Sequence, residues 1–110
     1  MDEAALFALL KTTGLPVAYH HYISPPSLPY IIYLVAEADA WGSDERNEVL
    51  SKTYLVELYS KNKDLASQRK IEAVFNERGI EYGLIEAYIE SEGLYQAVYT
   101  IEFIEKLWRD

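Results

Sequence analysis

The chain has no cysteine, one methionine, two histidines and only ten basic residues among 110. Without cysteine there is no disulfide framework and no thiolate metal site, which suits a reducing compartment. Ten Lys and Arg against 18 Asp and Glu leave a formal charge of −8. Sequence-specific nucleic-acid binding is not expected, because phosphates are held by clustered cations. No apolar run approaches the roughly 20 residues of a bilayer-spanning helix, so no membrane partner is expected. The start, Met1-Asp2-Glu3-Ala4-Ala5, lacks the basic segment and small-residue cleavage site of a secretion signal. Five glycines form no phosphate-cradling loop, and neither Ser24 nor Ser51 sits in a Gly-x-Ser-x-Gly elbow. No catalytic constellation can be assembled, and the chain is read as a non-enzyme.

What is present is a half-hydrophobic chain with ten tyrosines, of a length that fits one domain, residues 1–110. Residues 2–13 read as a helix with Leu6, Leu9 and Leu10 on one stripe, stopped by Gly14 and Pro16. A strand follows over 17–22, then a stiff connection holding Pro25, Pro26 and Pro29. Residues 30–36 are apolar on both faces, as in a central strand covered on both sides. Residues 37–48, with five acids around Trp41 and Gly42, read as a long exposed loop. A strand over 52–60 leads through a polar turn to a helix capped by Asp64, running to Arg78 and stopped at Gly79. Its buried stripe should be Ile71, Val74 and Phe75, with Ser67 one turn earlier.

Residues 82–90 and 94–104 read as a β-hairpin whose pattern selects the turn. A two-residue turn would place Ile85 and Ile89 on the face of Gln96 and Glu102. A three-residue loop, Ser91-Glu92-Gly93, instead groups Ile85, Ala87 and Ile89 with Tyr95, Ala97, Tyr99, Ile101 and Phe103. That register leaves Glu86, Glu90 and Glu102 on a solvated face, too spread along the strand for a paired acid and base. The predicted class is α+β, with a mostly antiparallel sheet, two helices on one face and the order α-β-β-β-α-β-β.

Few residues point to chemistry. His20 and His21 are adjacent in the expected strand, so their rings should face opposite sides and share no metal. No metal site and no cofactor are expected. The tyrosines fall almost all in strands, and residues 30–36 and 54–59 are apolar on both faces. A domain this small cannot bury all of that surface. One sheet face or edge is therefore expected to be a subunit interface. Trp41 with Asp39, Asp44, Glu45 and Glu48 are the leading contact residues, followed by Tyr33, Leu55 and Tyr59.

Several stretches resemble one family. They are Leu9-Leu10-Lys11-Thr12-Thr13-Gly14-Leu15-Pro16-Val17-Ala18-Tyr19 and the proline linker before Tyr30-Ile31-Ile32-Tyr33-Leu34. Tyr54-Leu55-Val56-Glu57-Leu58-Tyr59-Ser60-Lys61-Asn62-Lys63-Asp64 and the hairpin Tyr88-Ile89-Glu90-Ser91-Glu92-Gly93-Leu94-Tyr95-Gln96 complete the set. In texture and element order the chain resembles the head–tail joining and tail-completion (tail terminator) proteins of long-tailed phages and Gram-positive prophages. The resemblance implies a virion structural part that assembles as a ring, commonly hexameric, at the head-proximal end of the tail tube. Implied partners are other copies, the tail tube protein and the head–tail connector. The implied locations are the host cytoplasm during assembly and then the virion's head–tail interface. The family carries no catalytic residues over to this chain. Acidic walls also fit a ring through which DNA passes without being gripped.

Overall fold

Asp2 opens the first helix: its side chain accepts a hydrogen bond from the Ala5 backbone N–H at 2.8 Å, satisfying one of the orphan donors of the first turn. The computed structural model describes residues 1–42 and 46–107. Within them, α1 spans Glu3–Lys11 and turns out through Thr12, with Gly14 at φ +81° taking the left-handed stop. The second helix, α2, spans Leu65–Glu77. The Asp64 carboxylate accepts from both the Ser67 N–H and the Ser67 hydroxyl, at 3.0 and 2.7 Å, and Gly79 ends the turn at φ +65°.

Five strands form one mixed sheet: β1 (Val17–Tyr19), β2 (Tyr30–Trp41), β3 (Val49–Ser60), β4 (Gly83–Ile89) and β5 (Leu94–Lys106). Their spatial order is β1-β2-β3-β5-β4, and only the β1–β2 pair is parallel. The class and the element order are those expected from sequence.

Both helices lie on one face. Leu6 and Leu10 of α1 join Ile71 and Phe75 of α2 in a cluster with Ile31, Tyr33, Tyr54, Val56, Leu58, Ala97, Tyr99 and Ile101. Those strand residues occupy alternate positions, so they share the helix-facing side. Fully burying a side chain such as Leu6 or Phe75 is worth about 1.5–3 kcal/mol, which makes this layer the main source of stability.

Four expectations are corrected. Residues 30–36 are covered by helices on one side only, so their second apolar face stays open. Residues 37–41 are not loop but the distal half of β2, paired with β3 back to Trp41–Val49 past a register shift between Val35 and Glu37. The first strand stops at Tyr19, because His20 takes φ +67° and leaves the pleat. In the last hairpin Ile89 pairs with Leu94, leaving a four-residue loop from Glu90 to Gly93. Ile85 then sits opposite Val98, on the face of Gln96 and Glu102, while Leu84, Glu86 and Tyr88 face the helix side. The physical reason is that β4 overhangs the helix layer. Every residue from Gly83 to Tyr88 is exposed, so neither choice of face buries more than the other.

Candidate assembly surface

The face without helices is defined row by row by the register. Tyr30, Tyr59, Gln96 and Ala87 form one row across the sheet, and Ile32, Glu57, Val98 and Ile85 form the next. Leu34, Leu55 and Thr100 complete the proximal half. Beyond the β2 bulge the same face turns acidic, with Glu37 and Glu102 flanking Thr53 and Asp39 beside Ser51 and Ile104. It ends on Trp41, Val49 and Lys106. The result is an apolar band at one end and an acidic arm tipped by tryptophan at the other. The arm accounts for the long dimension of the molecule, whose extents are 51 × 30 × 23 Å.

Aromatic and polar contacts hold the proximal rows rigid. Tyr30 and Tyr59 stack at 5.5 Å, and Tyr22 meets Tyr30 edge-on at 5.1 Å. Gln96 Nε2 donates to the Tyr59 hydroxyl at 2.8 Å, and that hydroxyl donates to Glu57 Oε1 at 3.0 Å. Burial, reinforced by the Glu57 charge, pushes Tyr59 up to about 12. On the arm, the Ser51 hydroxyl donates to Glu102 at 3.3 Å.

The structure separates the residues selected from sequence. Leu55 and Tyr59 lie on the open face, half-buried and four positions apart along β3, with Glu57 between them on the same face. Asp39 and Trp41 share that face further out, and Trp41 is 50% exposed. Glu48 lies in the turn, where its N–H donates to the Trp41 carbonyl at 2.9 Å and its carboxylate lies 4.0 Å from Arg46. Asp44 and Glu45 lie outside the described residues. Tyr33 is on the opposite side, buried beneath α1 with its ring edge-on to Tyr19 at 5.1 Å, so it belongs to the core rather than to a surface. Ile85 and Val98 were missed as members of the band. Their signal was the alternation of the hairpin, read one residue out of register.

Glu86 is also relocated. It faces α2, where Lys63 Nζ and Gln68 Nε2 both donate to its Oε1, the latter at 3.1 Å. The lysine hydrogen bond, followed by one from Tyr95, holds this carboxyl below its usual range. The histidines depart from expectation too: the turn at His20 brings its Nδ1 to 3.2 Å from Nδ1 of His21, as neighbours rather than on opposite faces. Among the described residues no cluster of three or more His, Cys, Asp or Glu is placed to hold a metal ion. Among them, too, no helix is long and apolar enough to cross a membrane. A trough of about 920 Å³ runs beside the start of β4, lined among others by Met1, Arg78, Ile80, Tyr82 and Phe103.

No family model and no curated protein matches this sequence. Twenty-one chains in solved structures do match in shape. One of them, which bears no functional name, superposes with a TM-score of 0.59 at 16% identity, over 98% of this chain and 92% of its own. At that identity the likeness extends to the fold alone.

Proposed function

We propose that this protein is a virion structural component of a tailed phage or prophage, a tail terminator or head–tail joining part that works by ring assembly at the end of the tail tube. The observation that carries the proposal is the band of Ile32, Leu34, Leu55, Val98 and Ile85 around Glu57, whose carboxylate accepts from Tyr59, on the sheet face opposite both described helices. A band of this kind needs a cover, and neighbouring copies or the rim of a tube supply one. The acidic arm with Trp41 at its tip suits the second task, contact with the head connector, because an aromatic anchor among charges is a common binding centre.

On this reading the chain performs no catalysis, carries no cofactor and acts in the host cytoplasm and then in the virion. Its charge of −8 lines the passage without gripping phosphates. Tube growth provides the test. Purified protein added to polymerising tail tube protein from the same prophage should stop elongation at one end. Tubes that grow to the same lengths with and without it would remove the proposal. Tight duplex DNA binding at about 150 mM salt would contradict the electrostatic part.

A further inference from the structure

His20 and His21 converge because the backbone at the end of β1 turns back on itself. The His21 N–H donates to the Tyr19 carbonyl at 2.7 Å, and His20 between them takes φ +67°. A bond to the residue two back, around a centre of positive φ, is the rarer and strained form of γ-turn. A second bond pins the turn to the sheet, from the His20 N–H to the Tyr33 carbonyl of β2 at 2.7 Å. Glycine would hold this conformation without strain but would bring no donor atom. Strain of this kind gathers at binding and catalytic sites.

The turn delivers the two Nδ1 atoms to 3.2 Å from each other, with ring planes crossing at 87°. Both side chains are exposed, so an ion can reach them from solvent. The spacing matches a chelate. Two nitrogens held at the usual zinc distance and tetrahedral angle lie about 3.3–3.4 Å apart. A right-angled pair, as in square-planar or octahedral sites, would lie closer, at about 2.8–3.0 Å.

We infer that His20 and His21 chelate one divalent zinc ion through their Nδ1 atoms, at the surface where β1 leaves the sheet. In the metal-free turn one ring carries its hydrogen on Nδ1 and donates it to the other. On binding, that ring carries the hydrogen on Nε2 instead, so both Nδ1 lone pairs turn to the ion and no proton is released. Water completes the tetrahedron, because among the described residues no group of three His, Asp or Glu is placed to share the ion. The chain's charge of −8 raises the local concentration of cations around the pair. The ion is a surface chelate and not a cofactor for chemistry.

The site goes beyond the tail-end reading and does not rest on it. Isothermal titration calorimetry of the full chain with zinc chloride should give a saturating isotherm with one ion per chain. His20→Gly, which relieves the turn while removing a ligand, and His21→Ala should each weaken zinc binding about tenfold or more, because a second tethered ligand multiplies affinity. Their circular dichroism should match the wild type. Nitrogen-15 spectra of the imidazoles should show zinc shifting both Nδ1 resonances while both Nε2 atoms stay protonated. A titration that fails to saturate up to millimolar zinc overturns the inference. Wild-type affinity in both variants overturns it too, since the acidic surface would then hold the ion. So does coordination through Nε2. A chain that binds no zinc yet stops tube growth would remove the chelate and leave the tail-end reading standing.

Discussion

Tyr30 stacks on Tyr59 across the β2–β3 ladder, with ring centroids 5.5 Å apart and planes inclined by 29°, on the sheet face that no helix covers. The pair explains how an open face keeps its shape. The rings bury each other, and the Tyr59 hydroxyl is fixed between Gln96 and Glu57. A surface built this way is ordered before any partner arrives, which lowers the entropic cost of docking.

The same burial makes the fold sensitive to alkali. Tyr59 is pushed up to about 12 by burial and then by Glu57, and Tyr54 to about 12 by burial and then by Glu3. A raised folded pKa means that the fold favours the protonated hydroxyl. The associated stability is intact below the ordinary value of 10.0 and is lost as pH rises through about 12. Near-ultraviolet circular dichroism should therefore collapse cooperatively between about pH 10 and about pH 12, together with the appearance of most tyrosinate absorbance. Tyrosines that all ionise near 10 while the dichroism persists would refute this.

Tyr99 ties the sheet to α2. Its hydroxyl donates to Glu72 Oε2 at 2.6 Å, and its ring lies edge-on to Phe75 and Tyr82. Tyr99→Phe keeps the ring packing and removes only the hydrogen bond. A loss of about 1–2 kcal/mol is expected in urea unfolding, at the low end for a charged acceptor because water can reach Glu72. Phe75→Ala, which opens a cavity under the same ring cluster, should cost about 3–5 kcal/mol. Equal urea midpoints for the two variants would show that the cluster is not the stability centre.

The elements were legible in sequence wherever a local device marked them. Asp64 and Gly79 announce the ends of α2 because capping is short-range chemistry, and the order of the seven elements follows from such marks. The distal half of β2 was not legible. Glu37 and Asp39 read as loop because strands are expected to be apolar, yet these residues lie on an arm beyond the helix layer, where alternation with Ala38 and Ala40 is enough. The hairpin register failed for a related reason: the apolar pattern had no burial difference to report on an exposed edge. Of the candidate contact residues, Leu55 and Tyr59 lie on the open face, in keeping with the two-sided apolar character of β3. Tyr33 was misplaced because periodicity separates two faces without saying which one the helices cover.

Trp41 should prove dispensable for folding and important for contact. Its side chain is half-exposed opposite Val49, and its structural tie to the turn is made by its backbone carbonyl, which a substitution keeps. Trp41→Ala should change unfolding stability by no more than about 0.5 kcal/mol. It should weaken binding to the tube or connector in a pull-down. An unchanged pull-down would make the arm tip bystander surface.

Leu55→Glu probes the apolar band four positions from Tyr59 along β3 and opposite Leu34. A carboxylate there would be desolvated in any copy-to-copy or copy-to-tube contact, and burying an unpaired charge is prohibitive. Assembly should be lost while the circular dichroism spectrum of the isolated chain stays the same. Assembly equal to that of the wild type would exclude the band as an interface.

Negative-stain electron microscopy of the protein, imaged alone and after mixing with tail tubes of the same prophage, tests the tail-end assignment most directly. Closed rings seated on one end of the tubes, absent when Leu55→Glu is used, are the predicted result. Bare tube ends at saturating wild-type protein, with the chain dispersed in the background, would contradict it.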